Sequence, residues 1–363
     1  MKKHLWLLSG LTALMLAGCS SNGEETGSAK EKATETEEVV ETETATAATD
    51  KVKQTEPLVV YLNDFDELIE PLFEEKTGYD IELVVGNGAE VQSRIEAEKS
   101  NPNWDVVWLD GQGSFARWEN DGILLENVSL ESEGNLNDFG KSLVPASKAY
   151  YPTGAHAAGV IVYNTNEVKA EDAPKTWADL TNPAYKNMVG MADPAIAAPA
   201  YPFVAWFFED LGMDGGKEYF TKLFENGTKV FPKNPNVVEA LLSGDLKIAA
   251  LQESNAYKMK QDGEPIEIVW PEEGAPASVR YAAISKDTDQ EEVAKAFISF
   301  ILEKETQDQM IAAGTEGFYT SSVKDVASPA ARDEKAPLLI ANPATAAQNE
   351  AEVKEWFADQ SVQ

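Results

Sequence analysis

Leu58-Val59-Val60-Tyr61, Ile81-Glu82-Leu83-Val84-Val85 and Trp104-Asp105-Val106-Val107-Trp108 are short apolar runs, and what separates them decides the fold. From Asp66 to about Thr77 the apolar residues Leu68, Ile69, Leu72 and Phe73 recur at helical spacing, and Gly78 follows as a helix-ending glycine. Gly86-Asn87-Gly88 turns the second run into a helical stretch from Ala89 to about Lys99, and Asp110-Gly111 stops the third. Strand, helix, strand, helix, strand in this order predicts a parallel sheet with right-handed crossovers. In such sheets ligands gather at the carboxyl ends of the strands. Those ends are Asn63-Asp64, Gly86-Asn87-Gly88 and Asp110-Gly111, all polar or glycine-rich.

The alternation continues along the chain. Strands are expected at Ala158 to Tyr163, Met188 to Met191, Lys247 to Leu251, Pro265 to Val269 and Arg280 to Ile284. Trp177 to Leu180 starts a short helix. Longer helices are expected at Ala197 to Leu211, Gly216 to Phe224, Asn236 to Leu242, Glu291 to Glu303 and Ala347 to Ala358. The fold class is α/β, and no internal repeat of fixed period is present.

Composition removes whole classes of chemistry. The 363 residues carry 62 acidic against 30 basic side chains, a formal charge of −32. Nucleic-acid binding needs clustered Lys and Arg, so it is excluded as a function. The single cysteine is Cys19 and the two histidines are His4 and His156, so no Cys/His zinc cluster and no Cys/His nucleophile pair can be built. His156, in Gly154-Ala155-His156-Ala157-Ala158-Gly159, is read as an ordinary loop or strand residue. Any metal would need oxygen ligands. No catalytic residue and no cofactor is expected.

The N-terminus sets the compartment. Lys2, Lys3 and His4 precede an apolar run from Leu5 to Leu16, then Leu16-Ala17-Gly18-Cys19. A basic start and a short apolar run describe an export signal over residues 1–19, too short to span a membrane comfortably. Leu16 to Cys19 resembles a bacterial lipobox, which implies that Cys19 is lipid-modified and anchors the chain to the membrane. Residues 20–56 are mostly Glu, Thr, Ala, Ser and Lys without an aromatic residue, and are expected to form a disordered acidic tether, the competing reading being a helix through Val39 and Val40 that the density of Thr disfavours.

The order of segments from about residue 57 to about 320 resembles the family 1 extracellular solute-binding proteins. The pieces are Leu68 to Gly78, Trp104 to Trp108, Gly159 to Asn164, Pro174 to Leu180, Pro183 to Lys186, Leu242 to Asp245 and Val269 to Gly274. The resemblance implies a two-lobed, type II periplasmic-binding-protein-like fold, each lobe a mixed sheet flanked by helices, joined by two hinge strands. Lobe 1 would comprise 57–162 with 275–363, and lobe 2 163–274. It also implies a receptor of an ABC importer that closes on a small-molecule or metal-ion solute and delivers it to a permease and its ATPase.

Departures from the family bear on the solute. Iron(III) members often bind through adjacent tyrosines after the strand matching Lys247 to Leu251. Here that place reads Gln252-Glu253-Ser254-Asn255-Ala256-Tyr257, and Tyr150-Tyr151 lies earlier. Phosphonate and sugar-phosphate members use a hydroxyl-rich helix start, and here the matching stretch, Asp193 to Tyr201, lacks the hydroxyls. Arg280 lies where polyamine members need a carboxylate, and an arginine there favours an anionic group.

The candidate binding set is Asn63, Asp64, Asn87, Trp108, Asp110, Tyr163, Tyr201, Glu253, Tyr257, Trp270 and Arg280. Aromatic residues would supply flat walls, and polar and charged ones the orientation. Iron(III) and a small anionic solute such as a phosphonate or sugar phosphate stand first, then thiamine, then polyamines. Readings of another class are a secreted hydrolase using Asp110 and Glu253 as acid and base, and a surface scaffold.

Overall fold

The computed structural model describes residues 53–197, 200–332 and 337–361. The signal segment, Cys19 and most of the tether lie outside the described residues. Of the tether's last residues, Gln54 exchanges two 2.8 Å hydrogen bonds with the backbone of Asp80.

The opening of the chain folds as its pattern predicts. Strands β1 (Leu58–Leu62), β2 (Ile81–Val85) and β3 (Val106–Asp110) are parallel, with β1 between the other two. Helices α1 (Asp66–Thr77) and α2 (Gly88–Glu98) cross between them, and α3 (Gln112–Asn120) follows. Gly78 closes α1 at φ 68°, which a residue with a Cβ adopts only at a cost. Asn87 starts α2 with a reciprocal capping box: its side chain accepts from Ala89 and Glu90 N–H, and the Glu90 carboxylate accepts from Asn87 N–H.

A short helix α4 (Asp138–Leu143) leads into β4 (Tyr150–Ala157), which the sequence pattern did not show as a strand. After Ala158-Gly159 the chain enters a second sheet through β5 (Val160–Asn164). This sheet continues with β6 (Val189–Ala192), β7 (Lys229–Phe231), β8 (Ile248–Leu251) and β9 (Ile266–Val269), in the order β7-β6-β8-β5-β9. Its helices are α5 (Ala200–Asp210), α6 (Gly212–Glu225), α7 (Asn234–Ser243) and α8 (Glu253–Gln261).

At Ala275 the chain returns to the first sheet as β10 (Ala275–Ile284), which runs antiparallel to both β3 and β4. Helices α9 (Glu291–Ile301) and α10 (Lys304–Ile311), strands β11 (Thr320–Ser321) and β12 (Leu338–Ile340), and helix α11 (Pro343–Ser361) complete it. The first sheet has the order β11-β4-β10-β3-β1-β2, with β12 on β10. The molecule is therefore two-lobed α/β, with a mixed sheet in each lobe and helices on their faces.

Both crossings demand glycine. A Cβ on Gly159 would sit 2.3 Å from Phe203 Cδ2. Gly274 has φ +112°, and a Cβ there would lie 2.9 Å from Leu339 Cγ and from Pro337 O. The 162/163 boundary expected between the lobes falls inside β5, whereas 274/275 coincides with the start of β10.

Candidate functional site

A cavity of about 440 Å³ opens between the two sheets. From the first lobe it is lined by Asn63, Asp64, Asn87, Gly88, Asp110, His156, Arg280 and the turn Thr315-Glu316 with Phe318; from the second by Gln252, Ser254, Asn255 and Lys258. The carboxyl ends of β1, β2 and β3 supply the first of these, because parallel strands all deliver their ends to one edge. Arg280 joins them by register, since it is the direct antiparallel partner of Asp110.

One wall is acidic. Arg280 Nη2 donates to Asp64 Oδ2 and, at 2.9 Å, to Asp110 Oδ2. Asn63 Nδ2 donates to the same two carboxylates, at 3.0 and 3.3 Å. The guanidinium lies over the rings of Phe65 and Trp108, 4.9 and 5.8 Å from their centroids. Glu316 closes the wall, its carboxylate accepting from Phe65 N–H at 2.8 Å. Three polar atoms of this wall are buried without a hydrogen-bond partner: the acceptors Asn63 Oδ1 and Asp110 Oδ1, and the donor Arg280 Nε.

Charge follows from this packing. Burial pushes Asp64 up to about 7, opposed by Arg280 and reinforced by Asp110 and Glu316. Burial works against the charge on Asp110 too, but Arg280, His156 and the hydrogen bonds from Arg280 and Asn63 outweigh it and hold Asp110 below the usual carboxylate range. Arg280 itself is raised: burial opposes its charge and the two carboxylates prevail. His156 Nδ1 stands 3.5 Å from Asp110 Oδ1, and burial, more than any neighbour, lowers its pKa.

The opposite wall is the start of α8. Ser254 and Asn255 belong to its first turn, where backbone N–H groups have no partner within the helix. Gly88, at the start of α2, brings a second helix N-terminus to the same space. Both ends carry partial positive charge and suit an anion. Lys258 adds a cation, paired among the described residues with the exposed Asp262 on its own helix.

The structure gathers Asn63, Asp64, Asn87, Asp110 and Arg280 in this cavity and disperses the other candidates. Trp108 lies a layer below Asp110 on the same strand face, stacked on Phe65 at 5.7 Å, with its indole N–H on Thr153 Oγ1 at 3.0 Å. Tyr163 pairs with Ile248 at the start of β8, the sheet edge away from the cavity, because β5 is antiparallel to β8. Tyr201 donates its hydroxyl hydrogen to Ala346 O beneath α11. Glu253 is fully buried and bound to Arg332 and to Ala157 N–H, so it is neither a solute contact nor an available acid or base. Tyr257 stacks on Phe318, with ring centroids 4.3 Å apart, and accepts from Trp270 Nε1 at 3.2 Å. Tyr257 and Trp270 line a neighbouring cavity of about 390 Å³.

Three expectations are corrected. His156 is not an idle strand residue: its ring lies between Asp110 and Gln252, in the cavity wall. Arg280 is no open receptor for an anion, because its charge is taken up by two carboxylates. No tyrosine lines the main cavity among the described residues, and Tyr150-Tyr151 lies buried in β4.

Residues 102–346 match the family described as bacterial extracellular solute-binding protein. The chain is 25% identical over 245 residues to a Salmonella typhimurium protein named "Putative 2-aminoethylphosphonate-binding periplasmic protein", covering 66% of this chain and 69% of that one. Iron-bound HitA from Pseudomonas aeruginosa shares the fold with a TM-score of 0.72 at 19% identity, over 84% of this chain and 99% of its own. AfuA from Actinobacillus pleuropneumoniae, with fructose-6-phosphate bound, shares it with a TM-score of 0.73 at 22% identity, over 85% and 99%.

Proposed function

The chain belongs to the bacterial extracellular solute-binding proteins, and we propose that it is the receptor of an ABC importer for a small solute carrying both an amine and an anionic group. One observation carries the solute class: a single cavity has carboxylates on the first-lobe wall beside the start of α2, and the start of α8 with Lys258 on the other. An ammonium group would satisfy Asp110 Oδ1 and Asn63 Oδ1, the buried acceptors without partners. A phosphonate, phosphate or carboxylate would take the N–H groups at the start of α8 and that of Gly88, since the cap already occupies Ala89 and Glu90 N–H. The Salmonella relative's name fits such a solute, and the absence of tyrosine from the described cavity wall weighs against an iron(III) site built on tyrosines.

We place the crossings at Ala158-Gly159 and at Trp270 to Gly274, so that the lobes close by rotation about them. The lipobox-like segment would tether the receptor by lipidated Cys19 beside its permease and ATPase. Glu253 is fully buried in its ion pair with Arg332, so the Asp110 and Glu253 pair of the hydrolase reading is not assembled, which supports reading binding as the function.

Calorimetric titration with 2-aminoethylphosphonate, ethylphosphonate, ethanolamine, fructose-6-phosphate, spermidine, thiamine and ferric citrate tests this. The amine-bearing phosphonate should bind best, and at 100 times its dissociation constant should stabilise the protein by about 2.7 kcal/mol. Equal binding of ethylphosphonate would sink the amine half of the reading. Tight binding of ferric citrate alone would replace the solute class.

A further inference from the structure

Arg332 lies in the link between β11 and β12, and its side chain is 1% exposed. Its Nε donates to Glu253 Oε2 at 2.7 Å and its Nη2 to Glu253 Oε1 at 3.1 Å. The remaining nitrogen, Nη1, donates to Thr320 Oγ1 at 2.6 Å, and the guanidinium covers the ring of Trp270 at 5.2 Å. Glu253 is the first residue of α8, and its Oε1 also accepts from Ala157 N–H at 2.6 Å.

These partners come from both halves of the molecule. Arg332 and Thr320 belong with the strands of the first sheet, while Glu253 follows β8 of the second. Ala157 is the last residue of β4 before the chain crosses, and Trp270 directly follows β9 where it crosses back. One two-pronged ion pair thus touches both lobes and both crossings. Neither member lines the solute cavity.

We propose that Arg332 and Glu253 are a positioning pair that weights the closed arrangement and holds the α8 rim against the cavity, an inference that rests on reading the cavity as the solute site. A buried ion pair adds little net stability over an apolar pair of the same shape, so its worth lies in direction. Separating its members leaves a charge buried without a partner, which is costly. A rotation that draws α8 away from residues 320–332 must do this or carry water in. Ser254 and Asn255 follow Glu253 directly, so the anchored carboxylate sets where their N–H groups stand.

The test needs no solute. Cys19 is the only cysteine, so the full chain with Cys19→Ser takes dyes at Asp138→Cys and Glu218→Cys, exposed positions on the two lobes. Single-molecule energy transfer should show the long-distance population rising about tenfold or more in Glu253→Gln and in Arg332→Met. Arg332→Lys, which keeps the charge and loses the fork, should fall between. The double variant, with no charge left unpaired, should be displaced less than the two single effects combined, and it serves where a single variant does not fold. Distance distributions identical to the parent, even with a lower melting temperature, would reduce the pair to a structural one and overturn the proposal. Titration with 2-aminoethylphosphonate separates the two readings. A parent that ignores this solute while the distances shift loses the solute assignment and keeps the pair; equal affinity in parent and folded variants removes the pair.

Discussion

Asp64 is the residue whose chemistry is most exposed to test. Its pKa is raised to about 7, with burial the largest cause. As a ligand for an ammonium group it acts only when ionised, so affinity for an amine-bearing solute should grow as pH rises from 6 to 8. Asp64→Asn should flatten that dependence and weaken binding by about 1.5–3 kcal/mol, the worth of a hydrogen bond to a charged group; calorimetry across the pH range measures both. Stability runs the other way. Between about pH 4 and 7 the folded protein holds a proton on Asp64 that the unfolded chain has released, so raising pH through this window removes stability. Asp64→Asn should therefore melt above the parent at pH 8, and the difference should vanish near pH 4. His156 gives a second pH term. Asn234 Nδ2 donates to Gln252 Oε1, which leaves Gln252 Nε2 as the donor to His156 Nε2 at 3.1 Å and assigns the proton of the neutral ring to Nδ1, which makes no hydrogen bond to Asp110 Oδ1 3.5 Å away. Protonating Nε2 in acid breaks that link between lobes. The groups that bear on this ring are Asp110, Gln252, Arg280, Glu253 and Arg332. His156→Gln should lose the acid limb of any pH-dependent opening, read by the same dye pair.

Elements show which parts of the site were legible and why. The polar ends of three parallel strands were readable because the rule for open sheets turns a local pattern into a location, and Asn63, Asp64, Asn87 and Asp110 follow from it. The α8 rim was within reach. For a helix starting at Glu253, residues 253, 256 and 257 share the buried face and 254, 255 and 258 the other, so the choice of Glu253 and Tyr257 took the wrong face. Glu316 had no such signal, since its place depends on a turn between α10 and β11 that no local pattern marks. Strand β4 was missed for a related reason. Tyr150-Tyr151-Pro152-Thr153-Gly154-Ala155-His156-Ala157 has no period-2 alternation, because all eight residues are buried. Its identity comes from β10 and β11, more than a hundred residues away, and Gly154 is required because Tyr319 fills the space where a Cβ would stand. At α2 the cap and the cavity meet in one residue. Asn87→Ala should cost about 1 kcal/mol by removing the cap, whereas Asn87→Asp keeps the cap and adds negative charge beside the anion end. Equal melting temperatures for Asn87→Asp and parent, with weaker solute binding only in the variant, would separate the two roles.

At the scale of the whole molecule, α11 decides whether the lobes are independent bodies. The family resemblance implies that residues 275–363 belong to the first lobe, but α11 packs on α3 of that lobe and also on α5 of the other. Ala346, Val353 and Phe357 are buried with Phe208 and Phe220 in the aromatic cluster of the second lobe. Phe357 meets Phe220 edge-on at 4.9 Å. Ion pairs flank this core, Arg117 to Glu350 on α3 and Lys217 to Glu352 on α6. Periodicity located the helix, but its partners lie more than a hundred residues earlier in the chain. Apolar burial, not the charges, should carry the attachment. Phe357→Ala is therefore expected to cost about 3–5 kcal/mol, while Glu352→Ala, which removes an exposed pair, should cost less than about 1 kcal/mol. Denaturant unfolding of the two variants beside the parent measures the difference. Comparable losses in both would mean that surface charge holds the strap, and the helix would then loosen at high salt. A large loss in Phe357→Ala alone would make α11 part of the second lobe's core, so that any closing motion must bend or slide at its contact with α3.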